Sequence, residues 1–240
     1  MHTSKVIYLP ESGKAVFVGD THGDLQASRS IIKQYARRKY HVIFLGDYVD
    51  RGEKSRENID FLISAQKEYS KIILLAGNHE MNTVEPVSPS DFWESLSQQE
   101  ILYYSGIFNN FPLAVSGKGF IAVHAGLPDL PNLDNWDNIK PGDDNWMRIL
   151  WADFREKQGE CLGVLCGRIK LGRDYFERVM NSIGKNVLIR SHDPYAPEKM
   201  FNNRCLTLFT SASYGKSRQI AIVDLTKEIR SVDEIELISF

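Results

Sequence analysis

The stretch Ala15-Val16-Phe17-Val18-Gly19-Asp20-Thr21-His22-Gly23 sets a four-residue apolar run against an Asp-x-His pair flanked by glycines. Such a run bounded by glycine reads as a buried strand. Side chains two apart in extended backbone point the same way, so Asp20 and His22 can converge on one cation while the glycines permit a tight turn. Ala27, Ile31 and Tyr35 then recur every fourth residue, as on one helix face. A second cycle follows: the strand Val42-Ile43-Phe44-Leu45, the loop Gly46-Asp47-Tyr48-Val49-Asp50-Arg51-Gly52, and a helix bearing Ile59, Leu62 and Ile63 with Ser55 as its expected cap. A third strand, Ile72-Ile73-Leu74-Leu75, leads to Gly77-Asn78-His79-Glu80. Strands alternating with helices lie parallel, with their carboxyl ends along the edge where open α/β sheets bind ligands. Three strand ends therefore deliver Asp20 with His22, Asp47, and Asn78 with His79 to one place.

Farther along, Pro86–Ser90 reads as a loop before a helix from Asp91 to about Tyr104. Leu113-Ala114-Val115 and Phe120-Ile121-Ala122-Val123 flank a hairpin turn at Ser116–Gly119. Pro128–Asn145, rich in Asp, Asn and Pro, reads as a long surface loop, and strand-like runs return at Val187–Ile189, Leu206–Phe209 and Ile220–Val223. One α/β domain over residues 1–240, with a mixed sheet or two packed sheets, accounts for the pattern. At 240 residues and 42% hydrophobic, the chain can bury a sizeable core without disulfides. The 29 Lys+Arg against 31 Asp+Glu give no electrostatic reason to expect a nucleic-acid or membrane partner. No apolar run approaches a membrane span, and Met1–Lys14 lacks the apolar core of a signal peptide, so the expected location is cytoplasmic. Cys161, Cys166 and Cys205 lack the spacing of a zinc knuckle or redox pair and read as free, packed thiols.

The chemistry sits in the strand-end loops. A carboxylate such as Asp47 can bridge two cations through its two oxygens, and two-metal hydrolytic sites hold their ions about 3.5–4 Å apart. Asn78 offers a neutral carbonyl oxygen, which keeps the site from becoming too negative for a phosphate. His79 follows Asn78 directly, so the two side chains project differently; His79 is read as the acid that protonates a leaving oxygen, oriented and charged by Asp50. Arg51 presents a planar fork to phosphate oxygens. A second ion needs further ligands, and His124 and His192 both follow strands. His2 and His41 are left structural.

Taken in order, these blocks resemble the phosphoprotein phosphatase family, the metal-dependent serine/threonine protein phosphatases of the calcineurin-like metallophosphoesterase superfamily. Later matches are His124-Ala125-Gly126-Leu127, Leu150-Trp151-Ala152-Asp153, Arg190-Ser191-His192 and Leu208–Tyr214, so the likeness spans nearly the whole chain. The resemblance implies the metallophosphoesterase fold, an α/β architecture with a central two-sheet β-sandwich of mixed strands flanked by helices. It gives Asp20, His22 and Asp47 to one metal and Asp47, Asn78, His124 and His192 to the other. It makes His79 the acid, Asp50 its partner, Arg51 and Arg190 the phosphate clamp, and Tyr214 a residue overhanging the substrate. The expected reaction is phosphomonoester hydrolysis on phosphoserine or phosphothreonine proteins, by direct in-line attack of a water or hydroxide bridging two divalent or transition metals. Mn2+ is the expected ion, with Fe, Co or Zn compatible.

Three departures stand out: Ala125 replaces a usual glycine, Phe154 follows Asp153 where proline is common, and the Ser211–Gly215 loop is short. Competing readings are a dinucleoside polyphosphate hydrolase and a catalytically weak phosphopeptide-binding module; Glu80 with Asp50-Arg51-Gly52 favours the protein phosphatase, and a complete ligand set argues against the module. A cysteine phosphatase is disfavoured because Gly167, not arginine, lies six residues beyond Cys161. The loop bearing Asp129, Asp134, Asp137, Asp143 and Asp144 directly follows His124 and is expected to line one approach to the site, attracting basic residues around the phosphoester.

Overall fold

Two sheets packed face to face carry the site on their common edge. The computed structural model describes residues 4–38, 40–163, 167–215 and 218–239; His2 and Cys166 lie outside them. One sheet has five strands in the order Glu236–Ser239, Gln219–Asp224, Lys14–Val18, His41–Phe44, Ile72–Leu74. Its last three strands are parallel and end in step, with Val18 opposite Phe44 and Phe44 opposite Leu74. That register aligns the three loops read from the sequence. The other sheet has six strands, ordered Val6–Tyr8, Ala114–Gly117, Phe120–Val123, Val187–Arg190, Cys205–Thr207, Lys199–Met200. Phe120–Val123 and Val187–Arg190 run parallel with Ala122 opposite Ile189, so the segments bearing His124 and His192 leave the sheet together.

Alternation within each strand sorts side chains into two cores. Ala15, Phe17 and Ile43 face the sandwich interior with Phe120, Ala122, Ile189 and Leu206 of the opposing sheet. Phe17 meets Phe120 edge to face at 5.5 Å between ring centroids. Val16, Val18, Val42 and Phe44 point the other way, against Ile31, Ile32, Ile59 and Leu62 of the helices Leu25–Tyr35 and Ser55–Glu68. Both faces are thus covered, which is why these strands are continuously apolar rather than alternating with polar residues.

Several local readings are corrected. Lys54, not Ser55, precedes the second helix and provides no side-chain cap; Ser55 is its first residue, and its hydroxyl donates to the Gly52 carbonyl at 3.0 Å. The expected helix from Asp91 to Tyr104 is two helices, Asp91–Glu94 and Gln98–Phe108, because Ser97 and Glu100 form a capping box that starts a new one. The 128–145 segment contains a 3-10 turn, Leu133–Asn138, anchored by the fully buried Trp136. A small third sheet, ordered Asp153–Phe154, Ile169–Leu171, Cys161–Leu162, is an element the sequence did not announce. Cys205 is buried, as expected, whereas Cys161 is only half-buried. Among the described residues, no helix is long and apolar enough to cross a membrane.

Candidate metal centre

The loops at the sheet edge are stitched to one another before any ligand is considered. The Thr21 and His22 amides both donate to the Asp47 carbonyl, at 3.1 and 2.9 Å. Asn58, buried on the second helix, donates to Thr21 Oγ1 and the Tyr48 carbonyl, tying the first loop to the second. Glu80 ties the second to the third: its carboxylate accepts from the amides of Asp47, Tyr48 and Gly77 at 2.8, 2.8 and 3.0 Å. Across the sandwich, Asp20 bridges Phe209. This framework holds His22, Asp47, Asp50, Arg51 and His192 at positive φ, a conformation costly for residues other than glycine and concentrated here at the site.

Within the frame, Asp47 stands between two groups. Its Oδ2 lies 3.6 Å from His22 Nε2 and its Oδ1 3.5 Å from His124 Nε2. On the first side, Asp20 Oδ2 is 3.8 Å from His22 Nε2. On the second, Asn78 Oδ1 is 3.0 Å from both His124 Nε2 and His192 Nδ1. All six are buried.

The donor chemistry fits cations. Nδ1 of His22 donates to the Val49 carbonyl and Nδ1 of His124 to the Leu45 carbonyl, each at 2.8 Å, which leaves both Nε2 lone pairs facing inward. Burial pushes His22 down to about 3 and lowers His124 and His192, so the imidazoles are neutral, the form in which a histidine can hold a cation. Asp20 Oδ2 is buried without a hydrogen-bond partner, and burial, then the Asp47 charge, holds its carboxyl well above the usual range. A cation beside it would relieve that cost.

His79 lies at the border of the first group, its ring 4.9 Å from that of His22 and its ligand atoms close enough to His22 and Asp47 to join them. Its Nδ1 is engaged by Asp50 Oδ2 at 2.7 Å, and Arg51 Nη2 stands 3.5 Å from its Nε2. The short helix Asp91–Glu94 locks this pair, the Phe92 amide donating to Asp50 Oδ1 and the Trp93 indole to the His79 carbonyl. Neither anchor is visible as a motif in the sequence. Tyr214 stands beside this group, with its hydroxyl 3.3 Å from His22 Nε2 and its ring under the Arg51 guanidinium at 5.4 Å.

Beside the centre opens a cavity of about 590 Å³. Arg51 and Tyr214 line it; Arg190 does not. Arg190 is fully buried, with Nε donating to Thr207 Oγ1 and its guanidinium over the Phe154 ring at 5.2 Å. Phe154, standing where proline is usual, makes that stacking possible. A second arginine at the cavity wall, besides Arg51, is Arg168, on the third sheet's rim, with Nη1 2.5 Å from His192 Nε2 and Nε 3.6 Å from Asp153 Oδ2. The sequence reading missed it, because the alternation Arg168-Ile169-Lys170-Leu171 is too short to tell a strand from a loop. The acidic loop is also corrected. None of its five aspartates lines the cavity: Asp129 pairs with Arg178, Asp137 accepts from the Lys5 amide, and Asp143 caps the helix Asp144–Trp151.

Sequence relatives carry related names. The chain is 30% identical over 225 residues to human serine/threonine-protein phosphatase 5, covering 86% of this chain and 44% of that protein. It is 28% identical over 226 residues to serine/threonine-protein phosphatase T of Aspergillus oryzae, covering 87% and 47%. The chain thus spans about half the length of the curated relatives it matches. A protein serine/threonine phosphatase from Saccharomyces cerevisiae shares the fold with a TM-score of 0.78 at 22% identity, over 99% of this chain and 84% of the other. Residues 13–196 match the model of the calcineurin-like phosphoesterase family, and the chain belongs to that family.

Proposed function

We propose that residues 1–240 form one catalytic domain, a metal-dependent phosphomonoester hydrolase acting on phosphoserine and phosphothreonine proteins. The observation that carries this reading is Asp47, whose two carboxylate oxygens face one histidine from each ligand group. Asp20, His22 and Asp47 would hold one divalent cation and Asp47, Asn78, His124 and His192 the other, with Mn2+ foremost; when bound, such a pair supplies neutralisation of the phosphoryl oxygens and a shared water acidified to a pKa of about 7.

The chain's own groups do the rest. Arg51 and Arg168 flank the centre on opposite sides, one beside His79 and the other beside His192, and donate to the non-bridging phosphoryl oxygens. Asp50, accepting from His79 Nδ1–H, stabilises the charged imidazolium, whose Nε2–H is the proton given to the departing serine or threonine oxygen. A protonated Nε2 offers no lone pair to a cation, which separates His79 from the metal ligands. Arg190 becomes a support beneath the site rather than a substrate contact. The free thiols of Cys161 and Cys205 suit a reducing, cytoplasmic location.

The test is hydrolysis by metal-stripped protein reloaded with Mn2+, Fe2+, Co2+ or Zn2+, offered phosphoserine, phosphothreonine and phosphotyrosine peptides and a dinucleoside tetraphosphate. The expected result is release of phosphate from the first two. Exclusive cleavage of the tetraphosphate would assign the site to nucleotide anhydrides, and metal-loaded protein that binds phosphopeptide without turnover would make it a binding module.

A further inference from the structure

Lys170 lies on the central strand of the small third sheet, between Asp153 and Cys161, its register partners on either side. Register partners share a face, as do residues two apart along a strand. Asp153, Cys161, Arg168 and Lys170 accordingly all line the cavity beside the metal centre. Asp153 and Arg168 are 3.6 Å apart and Arg168 also reaches His192, whereas the Lys170 ammonium makes no hydrogen bond or ion pair among the described residues. It is half-buried and faces a space that the centre's other groups leave open.

The charges of this cavity are divided by depth. Its carboxylates are buried: Asp47 is 2% exposed, Asp153 4% and Asp193 6%. Its solvent-accessible charges, Arg51, Arg168 and Lys170, are all cationic. Arg51 and Arg168 are placed against the histidines of the centre, where a phosphoryl group would sit. Lys170, two residues beyond Arg168, acts on the Asp153 carboxylate only through space, without a direct ion pair, and its ammonium can meet a further negative group in the cavity.

We propose that Lys170 holds a second anionic group of the substrate, adjacent to the scissile phosphoester, so that the site selects phosphoproteins whose phosphorylated residue has an acidic or second phosphorylated neighbour. The inference rests on the phosphatase reading and refines it. It reverses the preference for basic flanks that the acidic loop suggested, because none of that loop's aspartates lines the cavity while the cavity's accessible charges are positive. An ammonium is a compact point charge on a flexible stem, suited to carboxylate and phosphate alike.

The experiment measures kcat/KM of the Mn2+-loaded protein for three phosphothreonine peptides differing only in the neighbouring residue, Ala, Asp or phosphoserine. Wild type, Lys170→Met, Lys170→Arg and Lys170→Glu are compared at low and high salt. The wild type should favour the two anionic peptides over the Ala peptide by about fivefold or more at low salt, the preference shrinking as salt screens it. Lys170→Met should bring the ratio near one, Lys170→Arg should keep it, and Lys170→Glu should invert it. A preference for phosphoserine alone would narrow the second group to phosphate. A wild-type ratio near one, a preference that survives Lys170→Met, or an equal loss on all three peptides would overturn the inference and leave the phosphatase reading standing. Failure of the metal-loaded wild type to hydrolyse any of them would overturn both.

Discussion

Gly77→Ala adds one methyl group where the second and third loops touch. A Cβ at residue 77 would lie 2.3 Å from Asp47 Oδ1, 2.4 Å from the Asp47 amide nitrogen and 2.8 Å from Glu80 Oε2. The backbone contact is about 1 Å short of ordinary van der Waals distance. Asp47 cannot rotate away, because its backbone is held at φ 54° and its amide is bonded to Glu80. The cost should therefore fall at the upper end of overpacking penalties, about 3 kcal/mol. For a chain of this size that lowers the melting temperature by about 6–12 °C. The carboxylate proposed to bridge two ions would move with it. Gly106→Ala is the control: its Cβ, on the helix Gln98–Phe108, meets nothing within 4 Å and should stabilise by about 0.5–1 kcal/mol. Thermal unfolding followed by circular dichroism in a chelator reads the packing cost without the contribution of bound metal, and elemental analysis after reloading reads the site. A Gly77→Ala protein that melts with the wild type and still takes up two ions would refute the claim that this contact positions Asp47.

His79→Asn should depress phosphothreonine-peptide hydrolysis by about 10²-fold or more while sparing nitrophenyl phosphate, whose leaving group needs no proton; equal losses with metal content unchanged would make His79 a positioning residue. Arg168→Ala should lower kcat by about 10²–10³-fold with little change in melting temperature, whereas Arg190→Ala should chiefly destabilise the fold; the opposite pattern would return the phosphate contact to Arg190. Burial raises the Cys205 thiol to about 11, so at pH 8 it stays protonated and should resist alkylation in the native state while half-buried Cys161 reacts. Peptide mapping checks this, and equal labelling of the two would contradict it.

The parallel strands were legible because each is an uninterrupted apolar run ending in a glycine-bounded polar loop, and a strand buried on both faces leaves that trace. The residues brought together at the edge followed from the same reasoning, since in-step strand ends need no long-range information once the topology is set. Arg190 stands two residues before His192, and adjacency in sequence put it near the site; its guanidinium is buried over Phe154, 3.8 Å from Asp193, and does not line the cavity. Arg168 was hidden for the complementary reason. Its sheet is built from strands of two or three residues, too short for alternation to be distinguished from a loop. The anchoring of Asp50 and His79 by Phe92 and Trp93 depends on where a four-residue helix docks, which no local pattern records. The five aspartates show that charge density in a loop does not reveal its direction: none lines the cavity, and Asp129, Asp137 and Asp143 are engaged by local partners or a cap.

Metal titration of the stripped protein asks whether Asp47 joins two ions into one hydrolytic centre. Mn2+ bound per chain and phosphopeptide hydrolysis are measured on the same samples, for wild type and Asp47→Asn. The wild type should take up two ions, with activity appearing only as the second site fills, and Asp47→Asn should lose two-ion binding and activity together. Full activity with a single ion bound, or an Asp47→Asn protein that keeps both ions and turns over normally, would contradict it.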